Sequence, residues 1–262
     1  RGFEYIQSGG VASGTLVQSG GSQCAASGGT AYGTIVSGGF LSAYGGAISG
    51  AVIHDGSGQI FGTVQDMTLH SGYVWFRTGC IADGVTVSGG RVETSNAEIH
   101  NLTIHSGGTG TIGAGTLYDT KLLGGNVSIF HVEQTDFHRM TISGGTALIE
   151  SRTALRDTVL QDGVLNLRNI SGSGNGAFDT IVEGGSMVLL EGAVATGTIL
   201  RGGSQILAGA AENGAVLSGG TQFVSSGIAV SDTRLSGGTQ IVSSGGSAVN
   251  TVIDHGVQVV EN

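Results

Sequence analysis

Proline is absent from the 262 residues, and charged side chains make up only 11% of them. A chain this poor in charge, with 39% hydrophobic residues, does not have the composition of a disordered segment. The 51 glycines follow no Gly-X-Y period and stand without proline, which excludes collagen. No run of 18 apolar residues occurs, so there is no transmembrane helix. Basic residues are scarce, 10 against 19 acidic ones, and the formal charge of −9 disfavours nucleic acid as a partner because phosphates need a basic surface. Two cysteines are too few for a disulfide scaffold. No signal peptide or lipidation motif is visible, so any such segment is expected outside this chain.

What is present is a repeat. The aliphatic residue of a "T-x-V" phrase recurs as Val17, Val36, Ile53, Leu69, Val87, Ile104, Leu122, Ile142, Leu160, Val182, Leu200, Leu217, Leu235 and Ile253. The mean step is roughly 18 residues, within the range of solenoid repeats. A glycine stands three residues after every one of these anchors, from Gly20 to Gly256. Such a position calls for positive φ or for room beside a neighbouring backbone. Three residues before the anchors the chain favours Gly, Asp or Asn (Asp66, Asn101, Asp157, Asp232), residues that tolerate left-handed turns; Arg139 is the exception.

Between these turns parity sets the faces. The anchors and the residues two before them are apolar or small, while the residue between is freer, so a strand with one buried face is expected. A second strand follows the glycine, with an inward column that includes Cys24, Ala43, Phe76, Leu207, Val224 and Val242. On the same parity Gln205, Gln222, Gln240 and Gln258 are expected to stack as an amide ladder, as in other in-register parallel assemblies. A third apolar point (Ile48, Val64, Ile99, Val230) precedes the next turn.

One such unit cannot bury its own faces, but stacked units can. The expected fold is all-β: a single-stranded parallel β-helix of about 14 rungs of roughly 18 residues, with helix nowhere longer than a turn. Rungs at about 4.8 Å would give a rod on the order of 65 Å. Proline is missing because nearly every strand N–H is needed by the ladder. Residues 1–262 read as one continuous β-helix, less regular around 91–183, where "RNISGSGNGAF" carries an insertion. Both ends fall in mid-rung without a polar cap, so the chain is expected to be a fragment of a longer rod.

The phrase "GGTQxVxSGGxAxxTxVxxGG" resembles the repeats of self-associating autotransporter adhesins of Gram-negative bacteria, the AIDA-type and antigen 43-type passengers. It reads here "GGTQFVSSGIAVSDTRLSGGTQIVSSGGSAVNTVIDHG" (Gly219–Gly256) and "SGGVASGTLVQSGGSQCAASGGTAYGTIVSGG" (Ser8–Gly39). The resemblance implies a passenger secreted to the bacterial cell surface, with roles in aggregation, biofilm formation and adhesion. Its implied partners are copies of itself on neighbouring cells or host surface glycans and proteins. It also implies Ser and Thr hydroxyls as acceptors of heptose from a heptosyltransferase.

Val188, Ile206, Phe223, Ile241 and Val259 fall on successive rungs of the outer column of the second strand, with Trp75 further up, and form the expected interaction surface. Cys24 and Cys80 lie about three rungs apart, beyond disulfide reach, and are expected as free thiols. His54 and His70 are expected to stack outside, with His105 two rungs on, too few for a metal site. The acidic residues mostly occupy turns; an alternative reading, a β-helix that binds or modifies polysaccharide, would use Glu133, Asp136, His138 and Arg139 in the irregular middle. A flat ice-binding array is excluded by the irregular outer column that holds Leu16, Ile35, Lys121 and Arg234. No catalytic residue, cofactor or metal is expected, and the chain reads as an adhesive protein rather than an enzyme.

Overall fold

The computed structural model describes residues 2–129, 134–150, 152–168 and 175–262. Every element among them is a β-strand, and the fold is a parallel β-solenoid of about 14 turns. Two compact units are distinguished, Arg1–Lys121 and Leu122–Asn262. In each, a coil carries three short strands. In the second unit one coil runs Ile199–Leu200, Ser204–Ala208 and Ala211–Asn213, and each of these pairs in parallel with its counterpart in the next coil: Val216–Leu217, Thr221–Val224 and Ala229–Ser231. In the first unit two of the strands fuse across the glycine corner, as in Ile35–Tyr44 and Val52–Ile60.

The anchors line the interior. Thirteen of the fourteen are buried, from Val17 to Leu235; Ile253 is exposed because no further coil of this chain covers it. Each such side chain contributes about 1.5–3 kcal/mol on removal from water. All fourteen positions three residues before an anchor adopt positive φ, between 53° and 73°, and Arg139 does so as well, at 58°. Left-handed geometry is thus imposed by the coil even where the side chain does not favour it.

The glycine after each anchor answers a second demand. At Gly90 φ is 75°, and a Cβ there would lie 2.5 Å from the carbonyl oxygen of Gly72 in the coil before it. Gly163 repeats the arrangement against Gly145. At these two positions any side chain would collide with backbone. Register slips by one residue at Gln18, beside Ser37, and between Ile142 and Thr146. The first two lie outside the stretch expected to be irregular. Most of the insertion in "RNISGSGNGAF" lies outside the described residues.

One expected column needs correction. Cys24 pairs with Ser42, and Ala25 with Ala43, so Ala25 occupies the inward position and Cys24 the outward one. The coil has two glycines at the corner, Gly20 and Gly21, and Gly21 is the one that starts the strand. That shifts parity by one. Cys24 is nonetheless buried.

Candidate functional site

The second strand of the second unit presents its outer side chains in strict succession. Ser128 pairs with Leu148, Leu148 with Asn166, Asn166 with Val188, Val188 with Ile206, Ile206 with Phe223, Phe223 with Ile241, and Ile241 with Val259. The five-residue apolar stripe expected from the sequence is therefore continuous. Its members differ in exposure: Phe223 is 39% exposed and Val259 42%, while Val188, Ile206 and Ile241 are half-buried. Alongside runs a hydroxyl column, Ser186, Ser204, Thr221 and Thr239, in which Ser204 Oγ donates to Ser186 Oγ at 3.2 Å. No charged residue stands in either column from Ser186 to Val259.

Beneath the stripe one interior column is polar. Gln222 Nε2 donates to Gln205 Oε1 at 2.8 Å, Gln240 to Gln222 at 2.7 Å, and Gln258 to Gln240 at 2.7 Å. Each amide donates to the glutamine of the preceding coil, so the expected ladder forms. It ends on a carboxylate that the sequence reading missed. Gln205 Nε2 donates to Glu212 Oε2 at 2.6 Å, and Thr198 Oγ1 donates to the same oxygen at 3.2 Å. Glu212 sits in the third inward column between Ala195 and Val230. Burial pushes its pKa up to about 7, against the lowering effect of hydrogen bonds from the Gln205 side chain and from the side chain and backbone of Thr198. An acid in a column of alanines and aliphatics was the available signal. Glu4, Gln23 and Thr15 repeat the triad in the first unit, with Gln23 Nε2 2.6 Å from Glu4 Oε2 and Thr15 Oγ1 2.8 Å from it.

Trp75 belongs to the other unit and has its own surroundings. It aligns with Gln59 and Glu93, donates from Nε1 to Ser95 Oγ at 3.0 Å, and carries the Arg77 guanidinium 3.7 Å above its ring. A second apolar column was also overlooked: Val159, Ile181, Ile199 and Val216 on the outer side of the first strand, half-buried and in register until Arg234 interrupts them.

The remaining candidates take structural roles. Cys24 and Cys80 are free and buried, and burial raises the Cys80 thiol to about 12. His54 and His70 stack with ring centroids 5.1 Å apart, and His70 Nδ1 lies 2.9 Å from Ser88 Oγ, which separates the pair from His105. Among the described residues no three His, Cys, Asp or Glu side chains converge on a metal position. Asp66, Asp119, Asp157, Asp179 and Asp232 occupy left-handed turns. In the irregular middle Asp136 aligns with Ala154, and His138 with Arg156. Glu133 lies outside the described residues.

No family model and no curated protein matches the sequence. Among solved structures, the chain is similar to a crystal structure of a TibA fragment hyper-glycosylated by TibC. The TM-score is 0.69 at 24% identity, over 99% of this chain and 94% of that one. The two share one fold. The β-solenoid expected from the repeat is therefore the fold observed.

Proposed function

We propose that the chain is a β-helical adhesin passenger segment, displayed at the bacterial surface, that associates with copies of itself through the stripe Val188, Ile206, Phe223, Ile241 and Val259. The observation that carries this reading is the stripe's geometry: five apolar side chains in one uncharged outward column, flanked by hydroxyls. One apolar contact per coil is weak, but contacts repeated at a common spacing sum along two copies aligned side by side. The repeat phrase and the solenoid fold support the passenger reading, and aggregation, biofilm formation and host adhesion follow from it.

Cells displaying the chain are expected to settle from suspension, and the double variant Ile206→Asp with Phe223→Asp is expected to abolish settling. Settling at the parent rate by correctly displayed variant protein would remove the proposal. The same reading extends to modification. The TibA fragment is hyper-glycosylated, and Ser27, Ser226 and Ser244 here are exposed turn hydroxyls suited to a heptosyltransferase. Intact mass of protein made in its native host should exceed the sequence mass by whole heptose units.

A further inference from the structure

The outer face of the third strand in the first unit plays no part in the association stripe. Tyr32, Ser49, Gln65 and Asp83 stand on successive coils in one outward column, with Ala47 and Ile81 beside them in the next. Small side chains at Ala47 and Ser49 lie between the larger Tyr32 on one side and Gln65, Ile81 and Asp83 on the other. The result is a hollow of about 430 Å³, within the range of small-ligand sites. A second hollow of about 410 Å³ begins at the shared Ile81 and continues past Glu98. Together they make a groove that crosses the coils rather than a closed pocket.

Its chemistry narrows the occupant. Tyr32 is 48% exposed and offers a ring with a polar edge. Gln65 offers both a donor and an acceptor. Asp83 is held from one side, since Asn101 Nδ2 donates to Oδ1 at 2.7 Å, which leaves Oδ2 to accept from a ligand. No Lys or Arg lines either hollow, and the groove carries the carboxylates of Asp83 and Glu98, so an anionic ligand is repelled. A peptide captured as an added strand needs a free sheet edge. Here the strand backbones on both sides of the hollow are already paired coil to coil. What remains is recognition by side-chain hydroxyl, amide, carboxylate and aromatic ring, recurring every coil at about 4.8 Å. That repeat is close to the length of one sugar residue in a linear chain.

We propose that this groove binds a neutral linear saccharide, with Tyr32 stacking on a sugar face and Gln65 and Asp83 hydrogen-bonding its hydroxyls. The inference is independent of the association stripe.

The test is calorimetric titration of the chain with a panel of neutral linear hexasaccharides built from glucose, galactose, mannose or N-acetylglucosamine, and with a hexagalacturonate as anionic comparator. At least one neutral hexamer is expected to bind and the hexagalacturonate is not. Asp83→Ala and Tyr32→Ala should each weaken binding at least about tenfold, the loss expected for a hydrogen bond to a charged group or a stacking platform. Ala47→Trp, which fills the hollow, should abolish binding, and Phe223→Asp should leave it unchanged. Tyr32 and Asp83 are exposed, so those variants decide the matter even if Ala47→Trp fails to fold, as its circular dichroism spectrum would reveal. Binding of no neutral hexamer, preference for the hexagalacturonate, or full affinity in a folded Tyr32→Ala and Asp83→Ala pair would overturn the proposal.

Discussion

In the coils from Gln205 to Gln258 the second strand carries glutamine inside and Ile206, Phe223, Ile241 and Val259 outside. In the coils from Leu41 to Val92 the same strand carries Leu41, Val74 and Val92 inside and Ser42, Gln59, Trp75 and Glu93 outside. At this column the polarity of the strand is inverted between the two regions while the backbone ladder stays the same. A parallel coil tolerates either solution because every interior side chain meets its own copy one coil away. An aliphatic stack needs only matching volume. An amide stack needs each donor to find the next acceptor and one end to find a different acceptor, which Glu212 supplies.

The largest effect should come from forcing one region to use the other's chemistry in a single coil. Val74→Gln places a lone amide in the aliphatic stack, between Gly58 and Val92, where no side chain pairs with it. A loss of about 4 kcal/mol is expected in urea unfolding, from unpaired polar burial and overpacking together. Gln222→Leu makes the converse error: it strands Gln205 Oε1 and Gln240 Nε2, both fully buried, at a cost of about 3 kcal/mol. Replacing all four ladder glutamines by Leu, with Glu212→Val, should cost less than that single change. A single variant as stable as its parent would show that the ladder contributes no more than packing.

The capping acid sharpens the comparison through pH. With Glu212 at about 7 in the folded chain against an ordinary 4.5, the folded state holds a proton over that interval which the unfolded state has released. Stability therefore falls as pH rises from 4.5 to 8, by up to about 3 kcal/mol. Glu212→Gln should abolish this slope, raising the melting temperature at pH 8 and leaving it nearly unchanged at pH 4.5. The smallest stability effect belongs to the outer stripe. Phe223→Asp should cost less than about 1 kcal/mol, because the ring is partly exposed, while still interrupting self-association. A large destabilisation there would mean that the stripe serves the fold and not a partner.

Much of this was legible in the sequence because the repeat exposes its own geometry. The anchors, the left-handed turn before each, the glycine column after each and the glutamine ladder all follow from spacing and parity. The stripe was legible for the same reason, and its exposure was not. Val188, Ile206 and Ile241 are half-buried and Phe223 is more open, a difference set by what stands beside them. Cys24 was misplaced because Gly20 and Gly21 are equivalent letters and only the pairing of Ala25 with Ala43 selects between them. Glu212 was passed over because an acid in an apolar column reads as an error of alignment until Gln205 and Thr198 are seen to hold it.

The sequence alone determined the winding, the side of each strand that faces in, and the columns that repeat, because each of these depends on spacings within about 18 residues. The tertiary structure alone decided which carboxylate caps the amides, which thiol turns outward, and where small residues on adjacent coils open a groove. Those outcomes depend on register between coils and on the side chains stacked above and below, and no single coil contains that information.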